Sequence, residues 1–273
     1  MYVGSFHYAS FSADFTDNFP SISLVYGAWY SCTILAILGS HEFGHYFACR
    51  YYDIDASLPY FLPAPLALTG TIGAVIRIRH SIPTKRMLFD IGAAGPIAGF
   101  IVAVPALFLG LGLSRVVPLP DNFVGMSLGE PLLFQLAAWL VWGDAPSGHT
   151  INLHPMGFAA WLGLLITALN LFPIGQLDGG HIAYATLGSR STALSLTTTA
   201  VVVVLAFFSM SWIIWAALMV GMMIFLGPRH PRTVDEHVPL DRTRQLIALG
   251  TTAIFILCFT PAPIEVLDII TQR

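Results

Sequence analysis

The sequence predicts an all-α polytopic membrane protein with about six transmembrane helices. It adds a short β-strand or hairpin near the cytoplasmic face and a re-entrant or interfacial outer segment. Three observations carry this. Hydrophobic residues make up 56% of the 273 and charged ones only 10%, where a soluble domain carries about 25% charged residues. The apolar residues fall in long continuous runs, which suit helices rather than the alternating strands of a barrel. Alternating spans also sort the cations. Arg50, Arg77, Arg79, Lys85, Arg86, Arg190, Arg229, Arg232, Arg242 and Arg244 fall on one side, and Arg115 and Arg273 on the other. That excess marks the first side as cytoplasmic and places both termini outside. Adding or removing one span would scramble it.

The elements follow in order. The first twenty residues hold Asp14 and Asp17 but no Lys or Arg, so they lack the cationic start of a signal peptide. Span one is expected from Ile22 to Tyr51. It exceeds the roughly 20 residues a bilayer needs, so its last turns emerge from the hydrocarbon or lie in a protein cavity. Between Leu58 and Arg79, after Pro59, Pro63 and Pro65, the residues Ile72, Ala74, Ile76 and Ile78 alternate with Gly73, Val75, Arg77 and Arg79. This is strand periodicity, read either as an ordinary surface hairpin or as an element that meets a substrate. Span two runs from Met87 to Leu113. Its small residues, Gly92 to Gly99, let helices approach closely, a packing role with no chemistry of its own. Pro118 to His154 contains the apolar stretch Pro131–Trp142, too short to span comfortably. Spans three to six follow at Pro155–Pro173, Ala193–Phe208, Trp212–Leu226 and Gln245–Thr260, with four and five as a helical hairpin. The whole reads as one membrane-embedded domain over 1–273, with a catalytic core at 22–188 and accessory helices at 193–261. There is no internal repeat and no basic run suited to nucleic acid. Cys32, Cys49 and Cys258 show no C-x-x-C spacing.

At the end of span one stands His41-Glu42-Phe43-Gly44-His45. Two imidazoles four residues apart share a helical face and suit two ligands of a tetrahedral zinc. Glu42 between them is placed to act as a general base toward water. Ionisable groups are costly at membrane depth, so an inert polar patch is the weaker reading. A catalytic zinc needs a third protein ligand. Asp178 is the preferred candidate, an anion in an apolar setting at the cytoplasmic end of span three, beyond the helix-breaking Pro173 and Gly175. His181 and Asp90 compete with it. His7, His149 and His154 fall on the outer side, and His80, His230 and His237 in cytoplasmic loops; all six read as structural or solvated. Asn170 could donate to the oxyanion of a tetrahedral intermediate or make an interhelical hydrogen bond; the residues leave both open.

H-E-x-x-H in one span, paired with Asn170-Leu171-Phe172-Pro173-Ile174-Gly175-Gln176-Leu177-Asp178-Gly179 in a later one, resembles the site-2 protease family of intramembrane zinc metalloproteases. Gly95-Pro96 and the tail Pro239-Leu240-Asp241-Arg242 look most like a compact bacterial and plastid-related branch, with no room for PDZ or CBS domains. The resemblance implies one zinc ion per chain held by His41, His45 and Asp178, water activation by Glu42 and oxyanion binding by Asn170. It implies transmembrane protein substrates, cut in the lipid bilayer close to the cytoplasmic face, and a bacterial inner membrane as location. The rival classes are a membrane metal transporter or metal-binding regulator, and an inactive relative that binds partners without cutting. Repeated ligand sets and inverted-repeat halves, the marks of a transporter, are missing, and the intact Glu42 argues against the inactive relative. Substrate identity, oligomeric state and any requirement for prior cleavage are not encoded in these motifs.

Overall fold

Long apolar runs with few charges can satisfy their backbone only within themselves, so helices dominate. The computed structural model describes residues 20–63, 71–79, 82–118, 124–144, 146, 148–208, 210–227 and 230–268. His7, Pro65, His80, Arg229 and Arg273 lie outside the described residues. The chain divides into two compact units. One comprises the chain to Ile37, Val102–Leu165 and Leu257 onward; the other comprises Leu38–Ile101 and Ile166–Ile256.

The helices among the described residues are α1 (Pro20–Tyr51), α2 (Lys85–Leu113), α3 (Leu132–Trp142), α4 (Pro155–Asn170), α5 (Asp178–Leu187), α6 (Arg190–Ala206), α7 (Met210–Leu226) and α8 (Arg242–Cys258). The strands form three antiparallel pairs: β1 (Tyr60–Pro63) with β2 (Thr71–Val75), β3 (Arg115–Pro118) with β5 (His149–Asn152), and β4 (Val124–Leu128) with β6 (Ile264–Asp268). α2 is long and apolar enough to cross a membrane; α3, α4, α6 and the Trp212–Phe225 part of α7 are shorter apolar helices. The chain is thus mostly helical. The six segments expected as spans coincide with α1, α2, α4, α6, α7 and α8, and among the described residues α2 alone is both long and apolar enough for a full crossing. Exposed apolar side chains support a membrane protein. Trp139 and Leu140 on α3, Ile224 and Phe225 on α7, and Leu246 and Leu249 on α8 all stand free of the core, an extent of apolar exposure that soluble monomers avoid.

In the unit containing α3, glycine sets the packing. A Cβ on Gly110 of α2 would lie 2.3 Å from the Gly157 nitrogen of α4, so these helices cross backbone to backbone. The buried Trp161 donates its indole N–H to the Gly129 carbonyl at 2.7 Å. Trp142 closes the far end of α3 by donating to the Leu111 carbonyl at 3.0 Å. The pairs β3–β5 and β4–β6 were not anticipated. They are strands of four or five residues, shorter than a periodicity window resolves.

The second unit holds the motifs. Phe89 and Ala93 of α2, Ile182 and Ala185 of α5, and Ala248 of α8 form its buried core with Leu171 and Leu240. A smaller cluster of Cys49, Ile54 and Ile91 packs against Ile76 and Ile78. The alternation read from Ile72 to Arg79 appears as β2 and its extension. Ala74 is buried and Arg77 and Arg79 are exposed, and Ala56 bridges Ile78. The register pairs Tyr60 with Val75, Phe61 with Ala74 and Leu62 with Gly73, and shifts between Leu62 and Pro63.

Candidate metal centre

The helical spacing of His41 and His45 puts both rings on the buried face of α1; their centroids are 4.8 Å apart and the residues 5% and 7% exposed. The third group arrives by a chain reversal. α4 ends at Asn170, residues 171–177 turn back, and α5 begins at Asp178. Gly175 takes φ +52 in this turn, a left-handed conformation that glycine adopts without steric cost. The turn packs tightly on the first residues of α5. A Cβ on Gly179 would lie 2.0 Å from the Leu171 carbonyl, and one on Gly180 2.4 Å from the Gly175 carbonyl. Ser195 of α6 pins it from outside by donating to the Pro173 carbonyl. At the first residue of α5, the Asp178 carboxylate also gains from the helix dipole.

The result is a convergence of donor atoms. Nε2 of His41 lies 3.1 Å from Nε2 of His45 and 3.2 Å from Asp178 Oδ2; Nε2 of His45 lies 3.4 Å from Asp178 Oδ1. The tautomer of His45 follows from its other nitrogen. Nδ1 sits 2.7 Å from the Ile91 carbonyl, which only accepts, so Nδ1 carries the proton and Nε2 of the neutral ring presents a lone pair. A lone pair aimed at a second imidazole nitrogen and a carboxylate is repulsive unless a proton or a metal ion lies among them. Ligands about 2.0–2.1 Å from a tetrahedral ion stand ~3.3–3.4 Å apart, close to the observed separations. The second-nitrogen bond to a backbone carbonyl is also usual for metal-bound histidine. The donor set therefore fits a metal ion, and the group can hold one.

Of the other candidates, Glu42 and Asn170 share a cavity of about 450 Å³ with the three donors; Leu38, Ile76 and Gln176 form part of its wall. The Ile76 backbone hydrogen-bonds to the Glu42 carboxylate. The Asn170 amide nitrogen stands 3.3 Å from His41 Nε2. His181 lines the same cavity but is not among the converging donors; its Nδ1 pairs with His230 Nε2 at 2.6 Å. Asp90 is not in the cluster; Tyr52 and Arg244 hold it instead. His237 is exposed. His154 is buried between Tyr26 and Trp29 in the other unit.

Sequence reasoning assigned Gly95 only to packing, and its neighbour turns out to be a donor ring. A Cβ there would fall 2.1 Å from His45 Nε2. Gly44 is equally constrained, 2.5 Å from the Ala94 carbonyl. The Gly95-Pro96 dipeptide was visible in the sequence, but what it touches was not.

The profile of peptidase family M50 matches residues 29–213, a segment that includes every donor of this centre. Among curated relatives, "Probable zinc metalloprotease EGY2, chloroplastic" of Arabidopsis thaliana is 34% identical over 230 residues, 81% of this chain and 39% of the relative. The protein of that name from Oryza sativa subsp. japonica is 36% identical over 173 residues, 61% of this chain and 30% of its own. "Probable zinc metallopeptidase EGY3, chloroplastic" of Arabidopsis thaliana is 27% identical over 267 residues, 90% of this chain and 44% of its own. The chain spans less than half the length of these relatives. With a matching profile over most of its length and a donor cluster inside the matched segment, the chain belongs to peptidase family M50.

Proposed function

We propose that the chain is an intramembrane zinc endopeptidase that cuts peptide bonds within or near transmembrane segments of other membrane proteins. The convergence of His41, His45 and Asp178 in one cavity with Glu42 and Asn170 carries this reading. Family membership and the zinc metalloprotease names of the relatives support it.

His41, His45 and Asp178 would hold one zinc ion. Bound there, zinc supplies Lewis acidity, lowering the pKa of water and polarising a carbonyl oxygen. Glu42 takes the proton as water adds to the scissile carbonyl, then returns it to the leaving nitrogen. Asn170 donates its amide N–H to the oxyanion. A helical substrate hides its carbonyls in its own hydrogen bonds and must unwind before it is cut. Among the described residues β1 and β2 make a two-stranded sheet, and the other edge of β2 would take an extended segment by strand addition. Ala74, Val75 and Ile76 bring that edge to the cavity. The cation excess supports a site opening toward the cytoplasmic face of a bacterial inner membrane, within a single domain whose core is 22–188.

The test is cleavage of a membrane-embedded peptide in liposomes by wild type and Glu42→Gln. The variant is expected to retain zinc and lose cleavage by several orders of magnitude. Undiminished proteolysis would remove Glu42 from the mechanism.

A further inference from the structure

The family profile ends at residue 213, yet a charged cluster beside the metal centre draws its cation from beyond that point. Arg244, in the first turn of α8, donates Nε to Asp90 Oδ1 at 2.8 Å and Nη2 to Asp90 Oδ2. Tyr52 donates its hydroxyl to Asp90 Oδ2, and Arg244 Nη2 lies 3.3 Å from the same hydroxyl. The Arg244 and Asp90 side chains are 17% and 23% exposed. Ion pairs this buried are retained only with good geometry, and the two-pronged contact supplies it. Asp241 holds the guanidinium in turn, accepting from the Arg244 backbone N–H at 3.1 Å and from Nη1.

What this network grips decides its role. Tyr52 is the first residue after α1, the helix that carries His41 and His45. Asp90 directly precedes Ile91, whose carbonyl accepts the hydrogen bond of His45 Nδ1–H. One guanidinium from α8 thus joins the end of the His-Glu helix to the turn of α2 that fixes a donor ring. The orientation of that carbonyl sets the tautomer and the tilt of the imidazole, which together aim Nε2.

We infer that Arg244 is a positioning residue of the metal centre: by clamping Asp90 and Tyr52 it holds the Ile91 carbonyl against His45 and so tunes metal affinity. The inference rests on the metal-binding reading of His41, His45 and Asp178. Lysine cannot replace it, because an ammonium is a point charge without the fork that engages both carboxylate oxygens. Loss of a partner that orients a metal-bound histidine typically costs about 10–100-fold in affinity.

The experiment measures Zn²⁺ affinity by chelator competition on the full chain in detergent. It compares wild type, Arg244→Lys, Asp90→Asn and Tyr52→Phe, with the exposed Asp55–Arg79 pair probed by Arg79→Gln as control. Thermal midpoints are recorded with and without Zn²⁺. Arg244→Lys and Asp90→Asn are expected to bind Zn²⁺ about 10–100-fold more weakly, with a smaller zinc-induced rise in midpoint. Tyr52→Phe should show a lesser loss and Arg79→Gln none. A purely structural role would lower both midpoints alike and leave affinity untouched; wild-type affinity in Arg244→Lys would overturn the inference. If Arg244→Lys does not fold, wild-type affinity in both Asp90→Asn and Tyr52→Phe overturns it equally. A wild-type chain that takes up no Zn²⁺ instead strikes the metal reading itself.

Discussion

A single missing methyl group at Gly95 leaves room for the His45 ring, since a Cβ would fall 2.1 Å from Nε2. Gly95→Ala must therefore shift either α2 or the ring. The expected outcome is at least a tenfold loss of Zn²⁺ affinity, the scale of a misplaced metal ligand, measured by metal content after dialysis. Asn170 gives a contrasting prediction, because it contributes a donor and no lone pair to the centre. Asn170→Ala should keep zinc and lower kcat about 10²–10³-fold, as removal of an oxyanion donor does. Glu130 yields a pH prediction. Burial pushes its carboxyl up from the usual range to about 7. A raised folded-state pKa means the folded chain binds more protons than the unfolded one between the two values, so stability falls as pH rises through this window. Glu130→Gln should raise the thermal midpoint at pH 8 relative to wild type, with the difference fading below the ordinary glutamate range. Equal midpoints at pH 8 would remove the effect.

At the scale of elements, the reversal between α4 and α5 places the third donor. Gly179→Ala would force a methyl to within 2.0 Å of the Leu171 carbonyl. Overpacking of this kind costs about 1–3 kcal/mol, and thermal unfolding should report it together with weaker zinc binding. This region also shows what sequence could and could not reveal. His41 and His45 were legible because a four-residue spacing fixes a shared helical face before any tertiary contact. Asp178 stood out as an anion among apolar residues beside helix breakers. The helix it begins was not anticipated, since Gly179 and Gly180 argue against a helix until their packing on the turn is known. The alternation in 72–79 was legible as a strand; that Ala74, Val75 and Ile76 line the cavity depended on pairing with β1, set by register rather than composition. Asp90 looked like a possible ligand because its partner Arg244 lies 154 residues away, and no local pattern links them.

For the whole molecule, hydropathy and charge sufficed to give a mostly helical membrane protein. Each expected span is a helix, but hydropathy and charge do not fix how many cross fully: among the described residues one helix, α2, is long and apolar enough, and several apolar helices are shorter. The cation asymmetry makes an orientation prediction. After replacement of Cys32, Cys49 and Cys258, single cysteines at Arg232 and Asp144 should react with an impermeant thiol reagent from opposite sides of the membrane, the first from the cytoplasm. Labelling of both from one side would refute the alternating arrangement. The most direct test of the metal centre itself is zinc stoichiometry with zinc K-edge X-ray absorption on the purified full chain. One zinc per chain is expected, with imidazole scattering from two histidines that falls to one in His45→Ala. Failure to retain stoichiometric zinc, or a spectrum unchanged by both His45→Ala and Asp178→Ala, would contradict a centre built from these residues.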